Sequence, residues 1–266
     1  MSTDAGSESA TPFDDGELYD LLLGDLPYGL DFYLALARAA AGPVLDVCCG
    51  TGRIMLPCLE AGVDIEGVDL NAPMLDRLRH KAHQRGFTPS LHQGSMGEFR
   101  LDRRFALVMI PGNSFVHNLT TAAQIAALRG CHDHLSPGGL LALDAYFPGL
   151  YIIGAPNGER VLELEIKHPQ TGLPLRGWDT RNFDRVEQIQ RSLNEVEQLD
   201  AQGQVVSTHR SATSVRWIYK GEMELLLRAA GFARWQIDGD FDGQELTQET
   251  DGMVVRAWRG DDRVTR

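Results

Sequence analysis

Residues 43–53, Pro-Val-Leu-Asp-Val-Cys-Cys-Gly-Thr-Gly-Arg, constrain this chain more than any other stretch. A short apolar run leads straight into Gly50-Thr51-Gly52, and a helical pattern follows from Arg53 to Ala61. A second apolar run, Val63 to Val68, ends in Asp69. Strand, glycine turn, helix, strand, acid is half of a nucleotide-binding α/β unit. Gly50 and Gly52 let the backbone turn sharply and let a ligand lie against the main chain. A carboxylate at the tip of the second strand can accept both hydroxyls of a ribose. The pattern therefore points to an adenosine-containing ligand.

Its details disfavour a dinucleotide. That fingerprint carries a third Gly for close helix–strand packing, and here Met55 stands in that place. A pyrophosphate also needs free N–H groups at the helix start, whereas S-adenosylmethionine carries no phosphate. Asp46-Val47-Cys48-Cys49-Gly50-Thr51-Gly52 resembles motif I of the class I S-adenosylmethionine-dependent methyltransferases, acid-x-Gly-x-Gly-x-Gly, with Cys48 where the first Gly is usual. The resemblance implies a Rossmann-like seven-stranded α/β sheet with S-adenosylmethionine as cofactor. It implies contacts from Asp46, Cys48, Gly50, Thr51 and Gly52, with Asp69 on the ribose and Leu70 beside the adenine. Filling the Gly52 backbone niche with a side chain should then block the cofactor.

Composition agrees with a cytoplasmic enzyme. The 266 residues suffice for one large domain with an elaboration. The net charge of -12 argues against a nucleic-acid substrate, which needs a Lys/Arg-rich surface. It suits a neutral or cationic small molecule. No apolar run is long enough to span a membrane, and no secretory leader is visible. Cys48, Cys49, Cys58 and Cys131 lack Cys-x-x-Cys spacing and read as free thiols in a reducing cytosol.

Along the chain, residues 1–12 read as a disordered tail. Residues 13–41 hold two helical patterns, Glu17 to Leu23 and Leu30 to Ala40, which would cover the site. Residues 42–150 alternate strands at 43–48, 64–69, 89–93, 104–110 and 139–146 with helices at 52–61, 72–85 and 120–135, the pattern of a parallel sheet with helices on both faces. Pro57 weakens the first helix unless it falls in the first turn, and Pro137-Gly138-Gly139 reads as a turn before the fifth strand. Residues 151–217 then change rhythm: Val161–Ile166, Val186–Gln190 and Val205–His209 alternate and are punctuated by turns. They predict an antiparallel β insert after strand five, a lid that could also pair two copies. Residues 218–266 complete the core with a helix over Lys220–Ala230, capped by Gly231, and strands over Trp235–Phe241 and Met253–Trp258. A closing hairpin of this kind and a β-sheet cap are similar to those of small-molecule methyltransferases such as the amino-sugar N-methyltransferases.

Further site candidates follow the strands. Met74 reaches the adenine or simply packs in the core. Ser95 and Met96 form the loop that meets the adenine in the family. Pro111-Gly112-Asn113-Ser114-Phe115-Val116-His117 resembles the Ser-Phe-x-His element of small-molecule members, with Pro111, Asn113 and Ser114 at the strand's carboxyl end, where ligands bind. His117 is a general base or a histidine that fixes the loop. His80, His83, His132 and His134 read as solvent-facing, without metal-ligand spacing. Tyr19 is the tyrosine expected over the sulfonium; the alternative is packing. Arg176, Trp178, Asp179, Arg181 and Asn182 mark either a substrate pocket or an exposed strand face.

The implied chemistry is in-line methyl transfer to N or O of a small molecule, with His117, Tyr146 and Glu163 as candidate bases. Two alternatives keep the cofactor: cyclisation or aminocarboxypropyl transfer with release of methylthioadenosine, and a non-catalytic regulator.

Overall fold

A computed structural model describes residues 10–24, 26–247 and 252–260. The chain opens with a short helix, α1 (Gly16–Tyr19), whose first N–H groups, those of Glu17 and Leu18, donate to Asp15 Oδ1. It widens at once into a π-type turn over Asp20–Gly24 in place of the single helix expected there. Helix α2 (Leu30–Ala39) follows. Of the predicted tail, residues 1–9 lie outside the described residues, while the Ala10 carbonyl accepts from the Ala212 amide at 2.8 Å.

The core then alternates as its apolar periodicity demands: β1 (Val44–Val47), α3 (Met55–Glu60), β2 (Ile65–Asp69), α4 (Ala72–Gln84), β3 (Ser90–Gln93), β4 (Phe105–Ile110), α5 (Thr121–His134) and β5 (Leu135–Tyr146). All four β1 residues are buried, as a central parallel strand covered on both faces requires. Helix α3 begins later than its pattern suggested. Pro57 therefore sits in its first turn, where no backbone donor is lost. Pro137-Gly138-Gly139 does not precede β5 but lies inside it as a bulge. Phe105 pairs with Leu135 and Leu107 with Leu140, so the extra residues are absorbed around Gly138 at φ 73°.

After β5 come a one-turn helix α6 (Leu150–Ile153) and four antiparallel strands, β6 (Arg160–Lys167), β7 (Pro174–Asp184), β8 (Ile189–Leu199) and β9 (Val205–Arg216). Val186–Gln190 is not one strand: Val186 to Gln188 lie in a turn, and only Ile189 and Gln190 begin β8. Asp184 Oδ1 accepts from the Val186 and Glu187 amides and folds that segment into the β7–β8 turn, which Gln188 closes at φ 59°. Helix α7 (Lys220–Ala230) ends at Gly231 with φ 105°, the left-handed cap expected of it. Strands β10 (Arg234–Asp238) and β11 (Gly252–Trp258) finish the chain.

The main sheet has the order β10-β11-β5-β4-β1-β2-β3, and the insert forms a separate sheet, β6-β7-β8-β9. Only β11 runs antiparallel to its neighbours among these seven strands. Two apolar cores flank the main sheet. One gathers α5 and α7 around Leu128, Leu141 and Leu227; the other gathers α2, α3 and α4 around Tyr33, Leu56 and Leu78. No described helix is long and apolar enough to cross a membrane, and all four cysteines are free.

His134 corrects the solvent-facing expectation. It is buried; the Leu101 amide donates to its Nε2 at 3.0 Å, which leaves Nδ1 to donate to the Gly130 carbonyl at 2.7 Å. It is a core histidine that ties α5 to the loop before β4. His132 is half-buried, edge-on to Phe232, while His80 and His83 are exposed.

Candidate active site

The carboxyl ends of β1, β2, β4 and β5 converge on one place. Asp69 ends β2 and is 7% exposed. Its Oδ2 accepts from the Gly50 amide at 2.8 Å and its Oδ1 from the Asn71 amide at 2.9 Å, so one carboxylate fastens the glycine turn to the start of α4. Burial raises its pKa, and those amides oppose the shift. Each oxygen keeps a second lone pair for a ligand hydroxyl.

Gly50 turns at φ 54° and Gly52 at φ 90°, with Cys48 also left-handed at φ 64°. Cys48 thus occupies the backbone conformation that makes Gly usual in this motif. Gly52 also has a packing role. A Cβ there would stand 2.2 Å from Leu78 Cδ1 and 3.0 Å from Leu56 Cγ, so its bareness serves packing of the turn against α3 and α4. At Gly50 a Cβ would meet Met74 Cε only at 3.5 Å; Met74 is buried beneath that turn.

Asp46, 1% exposed on β1, has an Oδ1 with no hydrogen-bond partner among the described residues. Burial, opposed by Arg53 and reinforced by Asp69, pushes its carboxyl up to about 8. Thr51 is also buried, and its hydroxyl lies beside the Asp20 carboxylate.

The β4 loop is held from below by a residue that sequence reading passed over. Asp144 on β5 is wholly buried. Its Oδ1 accepts from Tyr33 Oη at 2.5 Å and the Gly112 amide at 2.9 Å, and its Oδ2 from the Asn113 amide at 2.8 Å. This clamp fixes Pro111-Gly112-Asn113, with Asn113 at φ 59°, while Ser114 Oγ donates to the Pro111 carbonyl at 2.7 Å. Arg53 is the second residue missed, although it directly follows the Gly-Thr-Gly turn. Its Nη1 donates to the Leu26 and Tyr28 carbonyls, and its charge acts on Tyr19, Asp46 and Asp144.

Phe13 is the third. It stacks 6.0 Å from the Tyr19 ring and edge-on 5.3 Å from the His117 ring, so the N-terminal segment bridges two predicted site residues. Burial raises the Tyr19 phenol, with Asp69 and Cys48 adding to the effect, which places it by the glycine turn. His117 is partly open to solvent, and desolvation of its ring lowers its pKa, opposed by the Ser214 backbone. Leu70 is 58% exposed at the mouth. Ser95 Oγ donates to Glu98 Oε2, and Asn118 Nδ2 donates to Met96 Sδ at 3.1 Å, joining the β3 and β4 loops.

Tyr146 ends β5 with its hydroxyl buried and unpartnered among the described residues, and burial raises its phenol well above the ordinary value. Glu163 does not fit the role of base. It is exposed on β6, and its carboxylate is held by Arg181 Nη2 at 2.7 Å. A surface cleft of about 1000 Å³ lies between the N-terminal helices, α4 and the tip of the β6–β7 hairpin. It shares Gly52 and Arg53 with the turn; its Arg77 pairs with Asp20 and Glu17 and its Lys81 with Asp20.

A bare glycine turn, a strand-end acid and a buried carboxylate oxygen awaiting a donor fit a ribose-bearing, zwitterionic ligand. With one reversed strand in seven, these features define a methyl-transfer fold. Comparison with known proteins agrees. Residues 44–139 match the methyltransferase domain family. The cypemycin N-terminal methyltransferase of a Streptomyces species is 30% identical over 244 residues, covering 90% of this chain and 93% of that one. The dTDP-3-amino-3,4,6-trideoxy-alpha-D-glucopyranose N,N-dimethyltransferase of Streptomyces venezuelae is 33% identical over 115 residues, 43% of this chain and 47% of that one. The CcbJ methyltransferase structure from Streptomyces caelestis superposes with a TM-score of 0.76 at 25% identity, covering 94% of this chain and 98% of that one. The chain belongs to the class I S-adenosylmethionine-dependent methyltransferases, enzymes of small-molecule methylation.

Proposed function

We propose that the accepting atom is an amine nitrogen of a small molecule. The observation that carries this reading is the electrostatics at the ends of β4 and β5. Burial raises the Tyr146 phenol and lowers the His117 imidazole, so Tyr146 holds its proton more firmly and His117 is a weaker base than a free imidazole. An amine that has shed its proton attacks without a strong base, whereas a hydroxyl acceptor needs one. The two relatives, both named for N-methylation, support the same choice.

The cofactor supplies a methyl group on a sulfonium, an electrophile with an excellent leaving group. The chain's part is to hold, align and exclude water. Asp69 takes the ribose hydroxyls. Asp46 and the Gly50 turn face the amino-acid end, and Arg53 takes its carboxylate. Leu70, Ser95 and Met96 border the adenine, while Tyr19 and Phe13 cover the centre. His117 lies against the Ser214 backbone of β9, where the lid meets the β4 loop, and its imidazole can accept a proton from an incoming ammonium.

The direct test is incubation with S-adenosylmethionine and a panel of small amines, read by mass spectrometry. Growth of S-adenosylhomocysteine together with a methylated amine is expected. Methylthioadenosine as the product would replace this reading with alkyl transfer or cyclisation, and turnover of alcohols alone would overturn the nitrogen assignment. Replacing Arg53 with Gln should weaken S-adenosylhomocysteine in calorimetry by about ten-fold or more, the scale of a lost charge-assisted bond. Undiminished affinity would remove Arg53 from the carboxylate site.

A further inference from the structure

The insert turns a polar face inward. In register across its strands, Asp179 on β7 pairs with Asn194 on β8, which pairs with Ser211 on β9; the adjoining row is Arg181, Ser192 and Thr213. Asp179 and Ser192 are each 7% exposed and Ser211 5%. The opposite face carries the solvated charges, where Arg160 lies over Trp178 and pairs with Glu195 and Glu197. A half-buried antiparallel sheet normally puts its apolar side chains on the covered face. Here Leu175 and Phe183 do so only near the two ends of β7, and the centre is left to carboxylate, amide and hydroxyl groups.

That centre is unfinished. Asp179 Oδ2 accepts from Arg181 Nε at 2.6 Å and from Ser192 Oγ at 3.2 Å, but Oδ1 is buried with no partner among the described residues. An unsatisfied buried carboxylate oxygen is costly, and a ligand donor removes the cost. The same face adjoins the chemistry, because the Arg181 charge acts on Tyr146, whose hydroxyl is also buried and unpartnered. The local charge favours a donor as well: Arg181 is shared by two carboxylates, Asp179 and Glu163.

We infer that this inner face is the acceptor subsite and that Asp179 sets its specificity. Its Oδ1 receives a hydrogen-bond donor, ammonium or hydroxyl, of a polyhydroxylated amine, while Asn194 and Ser211 bond neighbouring hydroxyls. The inference rests on the amine reading above and names the substrate class for it: amino sugars rather than apolar amines.

The test is calorimetry on protein saturated with S-adenosylhomocysteine, titrated with glucosamine, kanosamine and cyclohexylamine. At least one amino sugar should bind better than cyclohexylamine. Asp179→Ala should weaken it about ten-fold or more while leaving S-adenosylhomocysteine affinity unchanged. Should Asp179→Ala fail to fold, Asp179→Asn, which keeps the shape, and Ser211→Ala carry the same expectation. Amino sugars binding no better than cyclohexylamine, or equal binding by folded variants, would overturn the subsite. Failure of the wild type to bind S-adenosylhomocysteine would instead strike at the cofactor site, a distinguishable result. Glucosamine N-acetylated and bound equally well would assign Oδ1 to a hydroxyl rather than the ammonium.

Discussion

Gly52→Val is expected to unfold the protein rather than only empty its cofactor site. The added Cβ falls 2.2 Å from Leu78 Cδ1, and the φ of 90° is one that a β-branched residue adopts only under strain. Leu78 and Leu56 are themselves wholly packed, so neither can step aside without opening the α3–α4 core. The loss is on the order of 4 kcal/mol or more, which equilibrium denaturation or the soluble yield would register. Gly52→Ala should fall between. A valine variant that melts with the wild type yet no longer binds S-adenosylhomocysteine would restore the ligand-niche explanation.

Asp69→Ala is expected to weaken S-adenosylhomocysteine by about a hundred-fold, the scale of two lost hydrogen bonds to a carboxylate. It should also lower the melting temperature, because the Gly50 and Asn71 amides lose their acceptors together. Asp69→Asn separates the effects. It retains one acceptor but points an N–H at one of the amides, so it should recover part of the ligand affinity and little of the stability. Wild-type affinity in a folded Asp69→Ala protein would dismiss the ribose assignment.

Most of the cofactor half was legible in the chain, for a physical reason. The β1 turn, the strand-end acid and the helix caps are local: each depends on backbone torsions and apolar periodicity within about ten residues. Asp46, Gly50 and Asp69 are separated by less than one α/β unit, and the crossover rule brings them together. Gly52 has a further reason to stay bare that its motif does not show: a Cβ there would meet Leu78.

The acceptor half was legible only as composition. Tyr33 and Asp144 lie 111 residues apart, and neither stands in a motif. What joins them is the placement of β5 beside β4 and of α2 beneath their ends. Phe13 likewise gains meaning only when its ring meets Tyr19 and His117. Glu163 looked like a carboxylate in a lid, but a bulge opposite Trp178 and Gly177 leaves it at an exposed edge beside Arg181.

The sequence by itself determined the sheet class, the glycine turn, the acid at the end of the second strand and the insert after the fifth strand, because periodicity and backbone freedom are properties of neighbours along the chain. Tertiary structure alone decided which side of the insert faces inward, that Asp144 clamps the β4 loop and that Asp179 keeps an oxygen unpaired. A side chain's partner depends on register and strand order. A shift of one residue would have turned Asp179 to the solvent and Trp178 to the site.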